Sequence, residues 1–107
     1  MDLYLVDLPY RSLGCWKDKG DRAIKGSFVR IGTRWGKDAV KACYERAKKV
    51  GSKIFAVQSG NECFADWKTA GGDYKKHGKA RNCKENGTGG HWANSVFQIG
   101  IAHFYSS

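Results

Sequence analysis

Five fixed positive charges, Lys75, Lys76, Lys79, Arg81 and Lys84, stand between positions 75 and 84, with His77 among them and no acid to interrupt them. Cations at this density neutralise the anionic groups of a sulfated or phosphorylated polymer and release its counterions. Lys41, Lys48 and Lys49 add to the set. A solvated lysine surface that keeps the chain soluble is the competing reading of the same residues. Four tryptophans, Trp16, Trp35, Trp67 and Trp92, offer flat apolar faces to sugar rings, with neighbouring Asn or Lys groups to bond hydroxyls or sulfates. Trp16, next to Cys15 in an extended segment, reads as a core residue. Trp92, in Gly90-His91-Trp92-Ala93-Asn94, divides evenly between core and ligand contact, and Trp35 and Trp67 are undecided. The candidate ligand set is Lys75, Lys76, Lys79, Arg81, His91, Trp92 and Asn94.

Catalytic and metal chemistry find weaker support. His77, His91 and His103 lie in separate segments without metal-ligand spacing, so no zinc site is expected. The same histidines match small basic ribonucleases in composition alone, where one imidazole is base and another acid. Asp18, Asp21 and Asp66 lack the spacing of a glycosidase pair, and no nucleophile motif is present. The expectation is a non-enzymatic chain with no cofactor and no metal. Asn86-Gly87-Thr88 is a glycosylation acceptor triplet in a glycine-rich loop, where a glycan would fit sterically.

The elements that position these groups must come from 107 residues, 41% apolar and 27% charged, with a net charge of +9. That is the size and composition of one domain with one core, and it excludes collagen-like and disordered chains. No stretch approaches the ~18 apolar residues of a membrane span, and Met1 to Tyr10 lacks the features of a signal peptide. Met1 is read as a start that replaces a removed signal. Cys15, Cys43, Cys63 and Cys83 are too widely spaced for a zinc knuckle. Their even number reads as two disulfides in an oxidising compartment, against the alternative of four buried thiols, and three connectivities are open.

Asp2 to Tyr10 reads as a leading strand, followed by a second extended piece around Leu13, Cys15 and Trp16. Lys17 to Gly36 is loop with one short strand near Phe28, Val29 and Ile31. Asp38 to Val50 is the clearest element, an amphipathic helix with Val40, Cys43, Tyr44, Ala47 and Val50 on its apolar face. Asp38 is placed to cap its start and Gly51 to end it. Ile54 to Val57 is an apolar run without alternation, as in a central strand covered on both faces. Ser59-Gly60-Asn61 turns the chain into a second hairpin strand over Glu62 to Trp67. Residues 70 to 90 read as a long loop that needs a disulfide to hold it, and Ser95 to Ala102 as a closing strand.

Leu13-Gly14-Cys15-Trp16-Lys17-Asp18, then Arg22-Ala23-Ile24, the helix with Cys43, Phe55-Ala56-Val57-Gln58 and Glu62-Cys63-Phe64 together resemble the WSC and related PAN/apple-like extracellular modules. Gly89-Gly90-His91-Trp92-Ala93-Asn94 resembles the ending of four-cysteine invertebrate relatives. The matches cover residues 10 to 100, with 1 to 9 as a leading strand or extension. The resemblance implies an α+β fold with one helix on an antiparallel sheet, secretion or surface display, and binding, often of carbohydrate. A WSC module carries further cysteines where this chain has Ala47 and Ala65. Their paired absence implies that the two positions face each other, the helix lying over the hairpin. Cys43 would then pair with Cys63, and Cys15 with Cys83.

The expected protein is therefore a single secreted domain that recognises carbohydrate, with an anionic glycan as the favoured partner and nucleic acid less favoured. The alternatives are a protein-interaction or matrix module using the leading strand and Phe104-Tyr105, and a small basic nuclease or antimicrobial protein.

Overall fold

The computed structural model describes residues 3–25, 27–65 and 73–106, and the side chains of 9–25, 27–65 and 73–100. In chain order the elements are β1 (Leu3–Lys17), β2 (Val29–Arg30), α1 (Lys37–Val50), β3 (Ile54–Gln58), β4 (Glu62–Phe64) and β5 (Ala93–Ser106). The strands form one antiparallel sheet in the order β1-β5-β3-β4-β2, and α1 packs on it through the core. The architecture is α+β with two disulfides, as expected.

The helix forms where apolar side chains recur at helical spacing, burying Ala39, Val40, Cys43 and Ala47. Gly51 ends it at a φ of 77°, its N–H turned back to the Ala47 and Lys48 carbonyls. The start differs from expectation. Gly36 occupies the cap position without a side-chain bond, and the Asp38 carboxylate instead accepts the Thr33 N–H at 2.8 Å, closing the turn that precedes the helix. Val50 is the last helical residue and is exposed, outside the apolar face assigned to it.

The central strand β3 is buried along its whole length because its alternating side chains serve two clusters. Phe55 and Val57 join Val40, Cys43, Ala47, Cys63 and Phe97 on the helix side. Phe55 and Phe97 stack at 5.0 Å, and Tyr10 meets both edge-on at 5.5 and 5.4 Å. Ile54 and Ala56 face the other way, among Ile24, Phe64 and Val96. Among the described residues no helix covers that second face; Trp16, Phe28 and Tyr74 pack against it. The glycine- and charge-rich stretch after Lys17, which carries little pattern, therefore supplies part of the core.

The strands at the ends of the chain also differ from expectation. The two extended pieces before Lys17 are one strand, continuous across a register shift between Ser12 and Gly14. Gly14 takes a φ of 105°, which admits the irregularity without a Cβ penalty. β5 begins at Ala93 and lies between β1 and β3 inside the sheet. It pairs with β3 only over Asn94–Gln98, so farther out β1 and β5 continue as a two-stranded ribbon to Leu3 and Ser106. β4 ends at Phe64. Asp66 and Trp67 lie outside the described residues, as do the side chains of 1–8, His103, Phe104 and Tyr105.

Cys43–Cys63 ties α1 to β4 with the Cα atoms 5.4 Å apart, and Cys15–Cys83 ties β1 to the glycine-rich segment at 5.9 Å. This is the pairing the resemblance implied, and Ala47 and Ala65 both belong to the helix-side cluster. Backbone bonds from Lys17 N–H to the Gly78 carbonyl (2.9 Å) and from Ala80 N–H to the Cys15 carbonyl (3.1 Å) hold the segment against β1. Among the described residues no helix is long and apolar enough to cross a membrane.

The bridges span 68 and 20 residues of chain. Loop-closure entropy then predicts that Cys15→Ala with Cys83→Ala lowers stability by about 4 kcal/mol and Cys43→Ala with Cys63→Ala by about 3 kcal/mol. Urea denaturation of the two double variants checks the order.

Candidate functional site

The turn Gly89-Gly90-His91-Trp92 lies flat on the end of β3. A side chain at Gly89 would run into the Val57 carbonyl oxygen, and one at Gly90 into the Asn82 carbonyl. Only glycine allows this approach, and it brings four bonds into register: Ser59 N–H to the Gly90 carbonyl, Gly60 N–H to the Thr88 carbonyl, Gly89 N–H to Ser95 Oγ, and Asn82 Nδ2 to the His91 carbonyl. Trp92 follows in a left-handed conformation, φ 52°, its carbonyl accepting the Asp18 N–H at 2.9 Å. The indole is left 54% exposed. Left-handed backbone at a bulky residue costs ~1–2 kcal/mol and is held only where surrounding bonds impose it. Among the described residues the other non-glycine cases are Trp35 at φ 66° and Ser59 at φ 51°. All three meet at this end of the sheet.

Beside Trp92 opens a cleft of about 240 Å³ whose lining includes Arg22, Gln58, Glu62 and His91. The Arg22 guanidinium lies 4.9 Å from the Trp92 ring, 5.1 Å from Phe64 and 5.8 Å from Phe28. Its Nη1 donates to Asp18 Oδ2 at 2.8 Å. Asp18 is buried, and its other oxygen accepts the Ala23 N–H at 2.9 Å. Gln58 Nε2 donates to Asp18 Oδ2 (2.8 Å) and to Asn94 Oδ1 (2.9 Å). Glu62, also on the lining, pairs with Arg30 at 3.3 Å. The groups of the cleft are fixed before any ligand arrives, by packing and by bonds to a buried carboxylate.

Trp35 forms a second aromatic position, 6.2 Å from His91. Its N–H bonds the Gly60 carbonyl, and its own carbonyl accepts Asn86 Nδ2, both at 3.0 Å. Lys84 Nζ lies 5.1 Å from the ring and the Arg34 guanidinium 5.7 Å, so this edge is aromatic and cationic together.

The basic segment does not act as one patch. Lys75 and Lys79 cover the Trp16 ring at 5.5 and 5.9 Å, Lys76 bonds Asp21 at 2.8 Å, and only Lys84 reaches Trp35. Arg81 is exposed. The bond to Lys76 holds the Asp21 carboxyl below its ordinary range, but this is a surface pair of small energetic weight. His77 bonds the Asp21 carbonyl. Lys48 and Lys49 line a groove of about 770 Å³ along α1 with Ile31, Ala42, Glu45 and Arg46, which shares no residue with the basic segment. That groove is the larger one, but it holds neither a ring nor a buried polar group to orient a ligand, and the Trp92 cleft has both.

Two assigned roles need correction. Asn94 is fully buried on β5 and bonds Gln58, so it serves the inner frame of the cleft and presents nothing to a ligand at the surface. The Asn86 amide nitrogen, which would carry a glycan, is committed to the Trp35 carbonyl, and Thr88 is fully buried. The triplet is an element of the fold. Sequence reasoning found His91 and Trp92 and left Trp35 undecided, but missed Arg22, Gln58 and Glu62. Arg22 and Gln58 stood only in the fragments that carried the family resemblance, Asp18 there and among acids without glycosidase spacing, and no spacing rule joins the three across the chain. Among the described residues no group of three His, Cys, Asp or Glu side chains could hold a metal ion.

Burial opposes the charged form of Asp18, but the Ala23 N–H, Arg22, Gln58 and the Lys19 N–H together outweigh it and hold the carboxyl below its ordinary 3.8. A carboxyl lowered in the folded state contributes stability that is complete above 3.8 and is lost as pH falls through the lower folded value. Asp18→Asn is expected to flatten this acid limb and to cost about 3 kcal/mol at neutral pH, since Arg22 loses its buried partner. Thermal melts from pH 7 down to pH 2 on both proteins measure this. Gly89→Ala is expected to prevent folding altogether, read by loss of the native circular dichroism spectrum.

No family model matches the chain. A curated protein, Xylosyltransferase oxt of Drosophila pseudoobscura pseudoobscura, is 30% identical over 98 residues, covering 87% of this chain. The chain spans 11% of that protein's length.

Proposed function

We propose that this domain is an extracellular carbohydrate-recognition module of the WSC and PAN/apple-like kind and is not itself an enzyme. The observation that carries the proposal is Trp92, an indole held in a strained backbone, half exposed, over a cleft with a buried polar frame in which Gln58 bonds both Asp18 and Asn94. A rigid ring beside fixed hydrogen-bonding groups is the arrangement that takes the C–H face of a sugar while bonding its hydroxyls. The two disulfides support an oxidising compartment. The similar region is a small part of a much longer protein named for xylosyl transfer, which supports an accessory, sugar-directed role for this module.

In this reading Trp92 and His91 contact the glycan, and Trp35 with Lys84 and Arg34 receives an acidic substituent where the glycan has one. Charge attraction from the Lys75–Arg81 stretch adds to encounter and retention.

A glycan array probed at low and physiological salt tests this. Binding is expected, with sulfated members weakening as salt rises. Trp92→Ala is expected to lower affinity by about thirtyfold, the ~2 kcal/mol of a ring at the centre of an interface. On a heparin column, Arg34→Ala with Lys84→Ala is expected to elute at lower salt than Lys75→Ala with Lys79→Ala. Silence across the array at low salt would overturn the proposal.

A further inference from the structure

We infer that the cleft beside Trp92 is a subsite for one neutral sugar ring, in which the Gln58 side-chain carbonyl accepts a hydrogen bond from a ring hydroxyl. The inference rests on the carbohydrate reading and specifies which part of a glycan this site takes.

The orientation of the Gln58 amide follows from its partners. Asp18 Oδ2 and Asn94 Oδ1 both accept, so the NH₂ group must face them, and it meets both at 2.8 and 2.9 Å. Gln58 also lines the cleft. The atom left for the cleft is therefore Oε1, which only accepts. The ionised Asp18 secures this arrangement, because a carboxylate offers no proton to a flipped amide. Gln58 is 3% exposed, so this acceptor cannot swing out to water; it takes its bond from whatever enters.

Charge then separates neutral from anionic occupants. The guanidinium that lines the cleft is already matched, Arg22 with Asp18, and Glu62 on the cleft pairs with Arg30 outside it. A sulfate or carboxylate placed here would face the Gln58 carbonyl and the Glu62 carboxylate, with Arg22 engaged by Asp18. A sugar hydroxyl suits the same surroundings, because it donates to Gln58 Oε1 or Glu62 and accepts from a free Arg22 N–H. The Trp92 ring closes the side against its C–H face. Unlike the Trp35 edge with Lys84 and Arg34, this position selects by hydroxyl geometry.

The test uses the native disulfide-bonded chain, labelled with ¹⁵N and followed by NMR. In one arm it is titrated with neutral tetrasaccharides of xylose, glucose, mannose and galactose, and in the other with a heparin-derived tetrasaccharide. The expected result is a saturable shift of the Gln58 side-chain NH₂ and the Trp92 indole N–H with a neutral sugar, the Gln58 shift needing about thirtyfold more sugar in Trp92→Ala, whose exposed position leaves the remaining spectrum native. Deoxyfluoro analogues of that sugar then probe the acceptor without altering the protein. Fluorine accepts but does not donate, so one substituted position is expected to weaken binding about tenfold, the loss of one hydrogen bond to a buried acceptor. Full affinity for every fluorinated analogue overturns the role of Gln58. Heparin binding with Gln58 and Trp92 unmoved, and no neutral sugar bound, overturns the subsite and leaves the carbohydrate reading standing. No binding in either arm overturns both.

Discussion

The buried carboxylate of Asp18 is the point where the separate parts of this small domain are joined. It lies just past β1, and its two oxygens gather the Ala23 N–H, the Arg22 guanidinium and the Gln58 amide, while its own N–H holds the Trp92 carbonyl. One charge thereby fixes the loop that covers the second face of the sheet, the end of the central strand and the turn that carries the exposed indole. Burying it costs solvation, and its donors return that cost only if all are in place. The arrangement is cooperative for this reason: displacement of any partner leaves a charge unpaired. Arg22 shows the consequence for the site, since the guanidinium that neutralises Asp18 is also the wall against which Trp92 rests.

The frame of the fold was legible because it is built from local patterns of burial and turn residues. The helix over Lys37–Val50 follows from apolar side chains at helical spacing, the central strand from an unbroken apolar run buried on both faces, and its hairpin from the turn at Ser59-Gly60-Asn61. Boundaries at the chain ends were not. β1 continues through a glycine-containing irregularity that breaks alternation, and β5 acquires its inner position from partners on both sides, which one strand's pattern does not encode. The second face of the sheet was hidden for a different reason: Ile24, Phe28 and Tyr74 are isolated apolar residues in irregular segments, and only the fold gathers them.

The candidate site divides along the same line. Trp92 and His91 stood out as an aromatic pair in a polar turn, and the structure places them at a cleft. The lysines between 75 and 84 stood out more strongly still, and the fold disperses them. A run of like charge along an irregular loop has no fixed facing, so Lys76 turns to Asp21 while Lys75 and Lys79 lie over Trp16. Their stems cover an aromatic surface that would otherwise meet water, a role charge counting does not register. Gln58 and Arg22 were invisible because their chemistry depends on contact between positions 40 and four residues away from Asp18 in sequence.

Strain and close approach at this end of the sheet bear on how a ligand would be held. Gly89 and Gly90 bring backbone against backbone so tightly that neither admits a side chain, and Trp35, Ser59 and Trp92 sit in a conformation unfavourable to them. A loop so constrained has few alternative states to lose on binding. The ordering cost that weakens contacts made by flexible loops is then largely met by folding itself. In the proposed reading the small area of a single cleft would suffice for recognition under that condition, and the two sulfur bridges, by limiting the unfolded chain, help a domain of this size sustain the strain. The same constraint sets a limit on adaptation: a ligand of different shape has to be met by changing side chains around the rim, because the backbone beneath it has no room to move.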